Sequence, residues 1–429
     1  MEILVLVISF IILLIIGVPI AFSLGISSIL TMLISMDFIS AFATAAQRMA
    51  TGLDSFALLA IPFFVLAGEI LNRGGIAEKL LDFATVLVGR FRGGLAYVII
   101  ISAMLIGAVS GSALAAVAAI GGIMVPIMVK KGYDKGFSAA INITSSTTGL
   151  SIPPSNVLIV YSFASGGTSI AALFLAGYMP GVLVGVGLIV VAAIFAFVND
   201  YPKSGKVAFK EAVKKFLGAI PAILLVIIVI GGIIAGYFTP TEASAIAVAY
   251  AAILAGPIYK NIKLKEIPNI LLKSASTTAI VMLLIGTSMA LSWIMSYENI
   301  PQMISQALLG LTNSKIAILL IINFILLIVG TFMDMTPAIL IFTPIFLPVV
   351  TRLGLDPVHF GIIIVLNLCI GLCTPPVGSV LFVGTEVANT KIENVLKPLI
   401  PMYAIMILVL LMVTFIPQIS LFIPGLFGF

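Results

Sequence analysis

Charge is scarce in this chain. Lys, Arg, Asp and Glu supply only 9% of its 429 residues, and there are one histidine, two cysteines and one tryptophan. So few charges cannot coat a soluble domain of this length. The single histidine, His359, falls near the end of an apolar run and far from Ser110 in the segment GAVSGS. A serine nucleophile there would have no positioned base, which argues against an intramembrane serine protease. Cys369 and Cys373 lie four apart on one helical face, where a disulfide does not fit, and two sulfurs alone make a poor metal site. Both read as small apolar packing residues. The net charge is only +5, with basic residues clustered around 90–92, 130–135, 203–215 and 260–273. Such clusters orient a membrane protein and do not point to nucleic acid.

Apolar residues are what the chain has in abundance: 62% of it, with a mean hydropathy of +1.31. Apolar runs of about 20 residues recur, the length a helix needs to cross a bilayer. Spans are predicted near 3–17, 18–35, 56–72, 136–164, 179–198, 216–237, 239–258, 273–296, 356–385 and 398–423. The N-terminus lacks a basic flank and a small-residue cleavage site, so it reads as a retained first span. Two other apolar segments, 95–129 and 314–351, are interrupted midway at 107–112 and 330–337. Each fits a helical hairpin that enters and leaves on one side, as is tolerated where protein buries the turn. Amphipathic stretches at 75–93 and 299–312 precede the hairpins and read as interfacial helices.

The peptide GLSIPPSN at 149–156 returns as GLCTPPVG at 371–378, a spacing of 222 residues that Pro126 and Pro348, and Gly132 and Gly354, also keep. One unit is therefore used twice. The first repeat covers 1–198, with hairpin 95–129 and a broken helix at 136–164. A basic linker covers 199–215. The second repeat covers 216–429, with hairpin 314–351 and a broken helix at 356–385. With both termini periplasmic, all of the 21 Lys and Arg except Arg48, Lys315 and Arg352 fall on the cytoplasmic side. The repeats then start on opposite faces and are inverted about an axis in the membrane plane.

Each Pro-Pro pair removes two backbone donors and should break its helix. Carbonyls at 149–152 and 371–374 lose their helical partners, and Ser151, Ser155, Asn156, Thr374 and Ser379 add side-chain oxygens. Such a set suits a hard monovalent cation such as Na⁺. At the hairpin tips, Ser110 or Ser112 can cap the second arm of the first hairpin. Asp334 or Thr336 can cap that of the second, with Pro337 at its first helical position. Four helix N-termini would then lie near mid-membrane, their positive dipole ends turned to an anion. Asp334 is the one carboxylate at a tip, a candidate for a cation or a proton. Elsewhere 239–242 reads as a capping box, and Glu69 and Arg73 as an i,i+4 pair.

These residues look familiar as a set. On GLSIPPSN, GLCTPPVG, the tips GAVSGS and GTFMDMTPA, TPTEA at 239–243 and PFFVLAGEIL at 62–71, the whole chain resembles the large membrane subunit of TRAP (tripartite ATP-independent periplasmic) transporters, the DctM type. The resemblance implies an all-α polytopic membrane protein of the wider ion-transporter superfamily, not an enzyme. It implies inverted repeats, two re-entrant helical hairpins, two helices broken at Pro-Pro and elevator-type movement. It places the chain in a bacterial or archaeal inner membrane. There it would import an organic acid, such as a C4-dicarboxylate or sialic acid, by Na⁺ symport. A periplasmic substrate-binding protein would deliver the carboxylate, and a separate small four-helix membrane subunit would be the permanent partner.

Carried over by position, the resemblance implies one Na⁺ site among Ser110, Ser112, Gly149, Ile152 and Asn156, and a second among Thr331, Asp334, Thr336, Gly371 and Thr374. Substrate would sit between the tips, within reach of Ser110, Ser112, Ser155, Asn156, Thr336, Thr374 and Ser379. The halves are unequal, since Ser155 and Asn156 align with Val377 and Gly378. A stand-alone carrier or antiporter on the same fold, working without a binding protein, is the competing reading.

Overall fold

The computed structural model describes residues 2–203, 208–312 and 314–429, with Val109 and Ser110 described by backbone alone. Among these, the chain is helical throughout and forms no β-strand. The first half holds α1 (Glu2–Ile15), α2 (Ile20–Ser35), α3 (Phe38–Leu53), α4 (Ala60–Arg73), α5 (Ile76–Val88), α6 (Gly94–Ser110), α7 (Ala113–Lys130), α8 (Lys135–Thr148), α9 (Asn156–Ala164) and α10 (Ile170–Val198). The second holds α11 (Phe209–Ile234), α12 (Pro240–Ile253), α13 (Ile267–Tyr297), α14 (Ile300–Leu311), α15 (Lys315–Phe332), α16 (Met335–Arg352), α17 (Pro357–Leu372), α18 (Ser379–Val387), α19 (Ile392–Phe415) and α20 (Gln418–Leu426). Among the described residues, nine helical segments are long and apolar enough to cross a membrane.

Most elements of the two halves correspond. α7, α8 and α10 begin 222 residues before α16, α17 and α19. Both Pro-Pro bonds, 153–154 and 375–376, are cis. The halves also meet in a reciprocal contact. Thr147 Oγ1 lies 3.7 Å from Cys373 Sγ, and Ser151 Oγ lies 4.0 Å from Cys369 Sγ. Thr147 and Cys369 are repeat mates, as are Ser151 and Cys373. A contact in which each residue meets the mate of the other marks a two-fold axis. The cross-pairing further requires α8 and α17 to run antiparallel, so that axis is perpendicular to the helices. An axis of that kind inverts one half relative to the other in a bilayer.

The hairpins confirm the inversion by their feet. Glu69 on α4 pairs with Lys273 on α13 at 3.0 Å, and Asn261 donates to the Gly74 carbonyl at 3.0 Å. The end of α4 and the start of α13 therefore share one face. α13 has 31 residues, a length of about 46 Å, so its far end lies on the opposite face. The first hairpin, α6–α7, follows the end of α4 through α5. The second, α15–α16, follows the far end of α13 through α14. The hairpins enter from opposite sides, and their tips meet around one cavity. Three of the four arms would pass for full spans by length and hydropathy, and the meeting of the tips is what makes them re-entrant.

α8 lies at the centre. Every residue from Gly136 to Thr148 is buried, many of them polar. Their hydroxyls turn back on their own helix, as Ser145 does to the Ile141 carbonyl at 2.6 Å and Ser146 to Asn142 at 2.6 Å. That satisfies them without water. The outer helices expose bare apolar side chains, such as Ile15, Val198 and Phe209, a surface suited to lipid.

Several boundaries differ from expectation. α3 was not anticipated, because Gln47, Arg48 and Asp54 lower the hydropathy of what is an amphipathic helix capped by Asp37, which accepts from Ser40 N–H at 3.0 Å. α3 and α4 together occupy the place that the continuous α13 fills in the second half, the chain being interrupted at Asp54 and Ser55. The span expected at 179–198 starts at Ile170, capped by Ser169. The span expected at 398–423 is two helices, since α19 runs through Pro398 and Pro401 and stops before Pro417. The linker is shorter than 199–215, because α11 begins at Phe209 and Lys215 pairs with Asp82 at 3.0 Å; residues 204–207 lie outside the described part. Pro337 is the third residue of α16, not the first.

Glycine pairs hold each hairpin against its broken helix. A Cβ on Gly107 would lie 2.7 Å from Gly149 Cα, and one on Gly371 would lie 2.4 Å from the Gly330 carbonyl carbon. Gly107→Ala and Gly371→Ala are expected to lower stability by about 1–3 kcal/mol each through overpacking. Gly122→Ala, with nothing within 4 Å, should leave the thermal-unfolding midpoint of the solubilised protein nearly unchanged.

Candidate functional site

At the first tip, Gly111 adopts φ +62° and its N–H closes α6 on the Gly107 carbonyl at 2.8 Å. Ser112 caps α7, accepting from the Ala115 N–H at 3.2 Å. A Cβ on Gly111 would stand 2.9 Å from Asn156 Nδ2, so glycine is what lets this tip close on the start of α9. At the second tip, Asp334 is the residue before α16, and its side chain makes no capping bond. Its carboxylate borders the cavity instead.

That cavity has two parts. An inner chamber of about 100 Å³ is bordered by Gly111, Ser112, Asp334 and Thr336 from the tips and by Leu150, Val157 and Ser379 from the broken helices. Ser379 Oγ is buried there without a hydrogen-bond partner. A larger space of about 520 Å³ shares Ser112, Asp334 and Thr336, adds Asn156, and reaches Glu69, Asn72, Lys273 and Thr277 between α4 and α13. The starts of α7, α9, α16 and α18 thus converge on one cavity, with free N–H groups and positive dipole ends toward it. Around the helix starts the side-chain oxygens are the hydroxyls of Ser112, Thr336 and Ser379, the Asn156 amide and the Asp334 carboxylate, while Glu69 and Asn72 add a second carboxylate and a second amide at the far end. Among the described residues, no group of three or more His, Cys, Asp or Glu gathers anywhere.

Of the residues singled out from sequence, the structure brings Ser112, Asn156, Asp334, Thr336 and Ser379 together at the cavity. The Ser110 side chain lies outside the described part. Ser155 is buried and turned away, donating to the Leu150 carbonyl at 2.6 Å. Gly149 and Ile152 bond to each other across the break, Ile152 N–H to Gly149 O at 3.2 Å. Two of the four carbonyls expected to be free at the first break are therefore taken. In the second half, Gly371 accepts from Thr374 N–H at 2.8 Å. Thr331 and Thr374 donate to Ile328 and Ile370 carbonyls, both at 2.7 Å, and border a separate cavity of about 380 Å³ with Pro375, Pro376 and Tyr403. Of the second group, Asp334 and Thr336 thus border one space, Thr331 and Thr374 another, and Gly371 neither.

Glu69, Asn72, Lys273 and Thr277 were missed as cavity residues. Glu69 and Arg73 do form the expected i,i+4 pair at 2.8 Å. Lys273 carried one usable signal: it begins an apolar run, and its repeat mate is Thr51, so no symmetry requires a cation there.

Inverted halves that build a central cavity from two hairpin tips and two interrupted helices define a multi-pass membrane permease. The family described as tripartite ATP-independent periplasmic transporter, DctM component, matches residues 7–419. The chain is 54% identical over 420 residues to the uncharacterized protein YgiK of Salmonella typhimurium, covering 98% of this chain and 96% of that one. It is 42% identical over 407 residues to the C4-dicarboxylate TRAP transporter large permease protein DctM of Pseudomonas aeruginosa, covering 95% and 94%. It is also 42% identical over 424 residues to the isethionate TRAP transporter permease protein DctMQ of Oleidesulfovibrio alaskensis, covering 96% of this chain and 65% of that longer one. In structure it resembles the Alcanivorax borkumensis YdaH transporter, with a TM-score of 0.64 at 13% identity over 88% of each chain. That last likeness speaks for the fold alone. The chain belongs to the DctM family of TRAP transporter large permeases, and it is not an enzyme.

Ser155→Ala is expected to destabilise the fold by about 2 kcal/mol, since it strands the Leu150 carbonyl. Because Ser155 does not border the cavity, the half-saturating substrate concentration of surviving protein should stay within about twofold of wild type by uptake assay.

Proposed function

We propose that this chain is the permease subunit through which a small organic acid enters the cell by Na⁺ symport, handed over by a periplasmic substrate-binding protein. The observation that carries this reading is the convergence of four helix starts and the Asp334 carboxylate on a single cavity. Helix starts favour an anion. Oxygen donors from Ser112, Asn156, Asp334, Thr336 and Ser379 favour a hard cation beside it. Placing both in one space links their binding, because each charge offsets the other. Relatives named for a C4-dicarboxylate and for isethionate stand at the same 42% identity, so identity supports an organic acid without choosing its anionic group.

The cavity separates the tips from α4 and α13. In this reading the hairpins and broken helices travel as one body against those two helices, the elevator movement. The clustered basic residues near 90–92 and 130–135 support an orientation with the Glu69–Lys273 end in the cytoplasm and both chain termini in the periplasm. The space is then open inward. A small membrane subunit would cover part of the exposed apolar surface; the longer relative DctMQ, of which this chain covers 65%, leaves room for such a partner within one chain.

The test is uptake by proteoliposomes holding this chain and its small membrane partner, supplied with the cognate binding protein and a panel of organic acids. Accumulation should require both inward Na⁺ and the binding protein. Accumulation without the binding protein would replace this reading with a stand-alone carrier, and accumulation driven by H⁺ alone would make Asp334 a proton site. Asp334→Asn should reduce Na⁺-driven uptake at least about tenfold while leaving the folded protein's yield unchanged; undiminished Na⁺ dependence would remove Asp334 from the cation site.

A further inference from the structure

The larger cavity has a charged mouth that the central chemistry does not use. Glu69 on α4, only 12% exposed, holds two cations at once: Arg73 Nε at 2.8 Å on one carboxylate oxygen and Lys273 Nζ at 3.0 Å on the other. The triad carries one surplus positive charge. Among the described residues bordering this cavity, Lys273 is the single cation, and its side chain is 61% exposed.

We propose that Lys273 is a second anion site at this mouth, taking the carboxylate or sulfonate group of the organic acid on its way between the central chamber and the solvent. The proposal rests on the organic-acid reading above and adds a residue and a mechanism to it. Between substrates, Glu69 occupies the ammonium as an internal carboxylate. An arriving anion displaces it, and Glu69 stays paired with Arg73. Breaking a partly buried ion pair is costly when it strands a charge. Here Arg73 removes that penalty, so the exchange at Lys273 is near balance in both directions. Lysine suits the task, because a point charge on a flexible stem can follow a moving anion, whereas a guanidinium would fix it in one geometry. Asn72, one residue before Arg73 and also bordering the cavity, offers a neutral donor beside the site.

The experiment needs no knowledge of the natural substrate. Thr277 borders the same cavity one turn beyond Lys273. The native cysteines Cys369 and Cys373 are buried, so Thr277→Cys supplies the reactive thiol. In inside-out vesicles holding the full chain, its labelling rate is compared for two methanethiosulfonate reagents of similar size, one bearing a sulfonate and one a quaternary ammonium. The sulfonate reagent should be favoured. Adding Lys273→Gln should lower the anion-to-cation rate ratio about tenfold, the scale on which a charged cleft concentrates a counter-ion. Lys273→Arg should largely keep the ratio. Glu69→Gln, which removes the competing carboxylate, should raise it. A ratio unmoved by Lys273→Gln, a ratio that falls in Glu69→Gln, or a thiol that reacts with neither reagent overturns the proposal. Labelling does not depend on import, so a failure of the organic-acid reading would appear in the uptake assay alone.

Discussion

Everything in this protein follows from one constraint: a backbone N–H or C=O in an apolar surround must find a partner inside the protein. The chain interrupts two helices and turns two hairpins where lipid supplies none. Each interruption is therefore wrapped. Ser155 reaches back to the Leu150 carbonyl, the Gly378 N–H finds the Thr331 carbonyl at 3.0 Å, and the Tyr403 hydroxyl donates to the Cys373 carbonyl. Backbones approach closely enough for this only because glycine faces glycine, at Gly107 with Gly149 and at Gly330 with Gly371. The groups left over, chiefly helix starts and a few side-chain oxygens, are those that border the cavity. The site is what remains after the fold has met its own needs.

Much of this architecture was legible because proline and glycine act locally. Pro153, Pro154, Pro375 and Pro376 announce a break whatever the surroundings, and the spacing of 222 residues announces the duplication. The hairpins were legible from the small and polar residues at their centres. α3 was not, since a helix that buries only Ala41, Ala45 and Gly52 sends no strong hydropathy signal. The hydrogen-bond choices of the site residues were equally hidden. Nothing local distinguishes Ser155, which turns inward, from Asn156 beside it, which borders the cavity. Glu69 and Lys273 are two hundred positions apart in round terms, and only the packing of α4 against α13 brings them to one mouth.

The two halves share a plan and differ in detail. The first break is enclosed, with Ser151, Ile152 and Pro153 all buried, whereas Pro376 and Val377 of the second are exposed. The hydroxyl and amide of Ser155 and Asn156 have no counterpart at Val377 and Gly378. The carboxylate sits on the other side, at Asp334, where the first half has Ser112. At the tips themselves the first half contributes the Ser112 hydroxyl and the second the Asp334 carboxylate, so the two tips are not interchangeable.

The contact of Thr147 and Ser151 with Cys373 and Cys369 has a consequence for ancestry. A self-complementary contact of this kind is what two identical subunits make across a dimer interface. In such a dimer every substitution appears on both sides of the axis at once, and a change that helps one side burdens the other. Once the two copies are joined in a single chain, each side of the axis mutates alone. Hydroxyls on one side of the crossing and thiols on the other are a trace of that freedom, and the same freedom permits a carboxylate in one hairpin that its twin never had to accept.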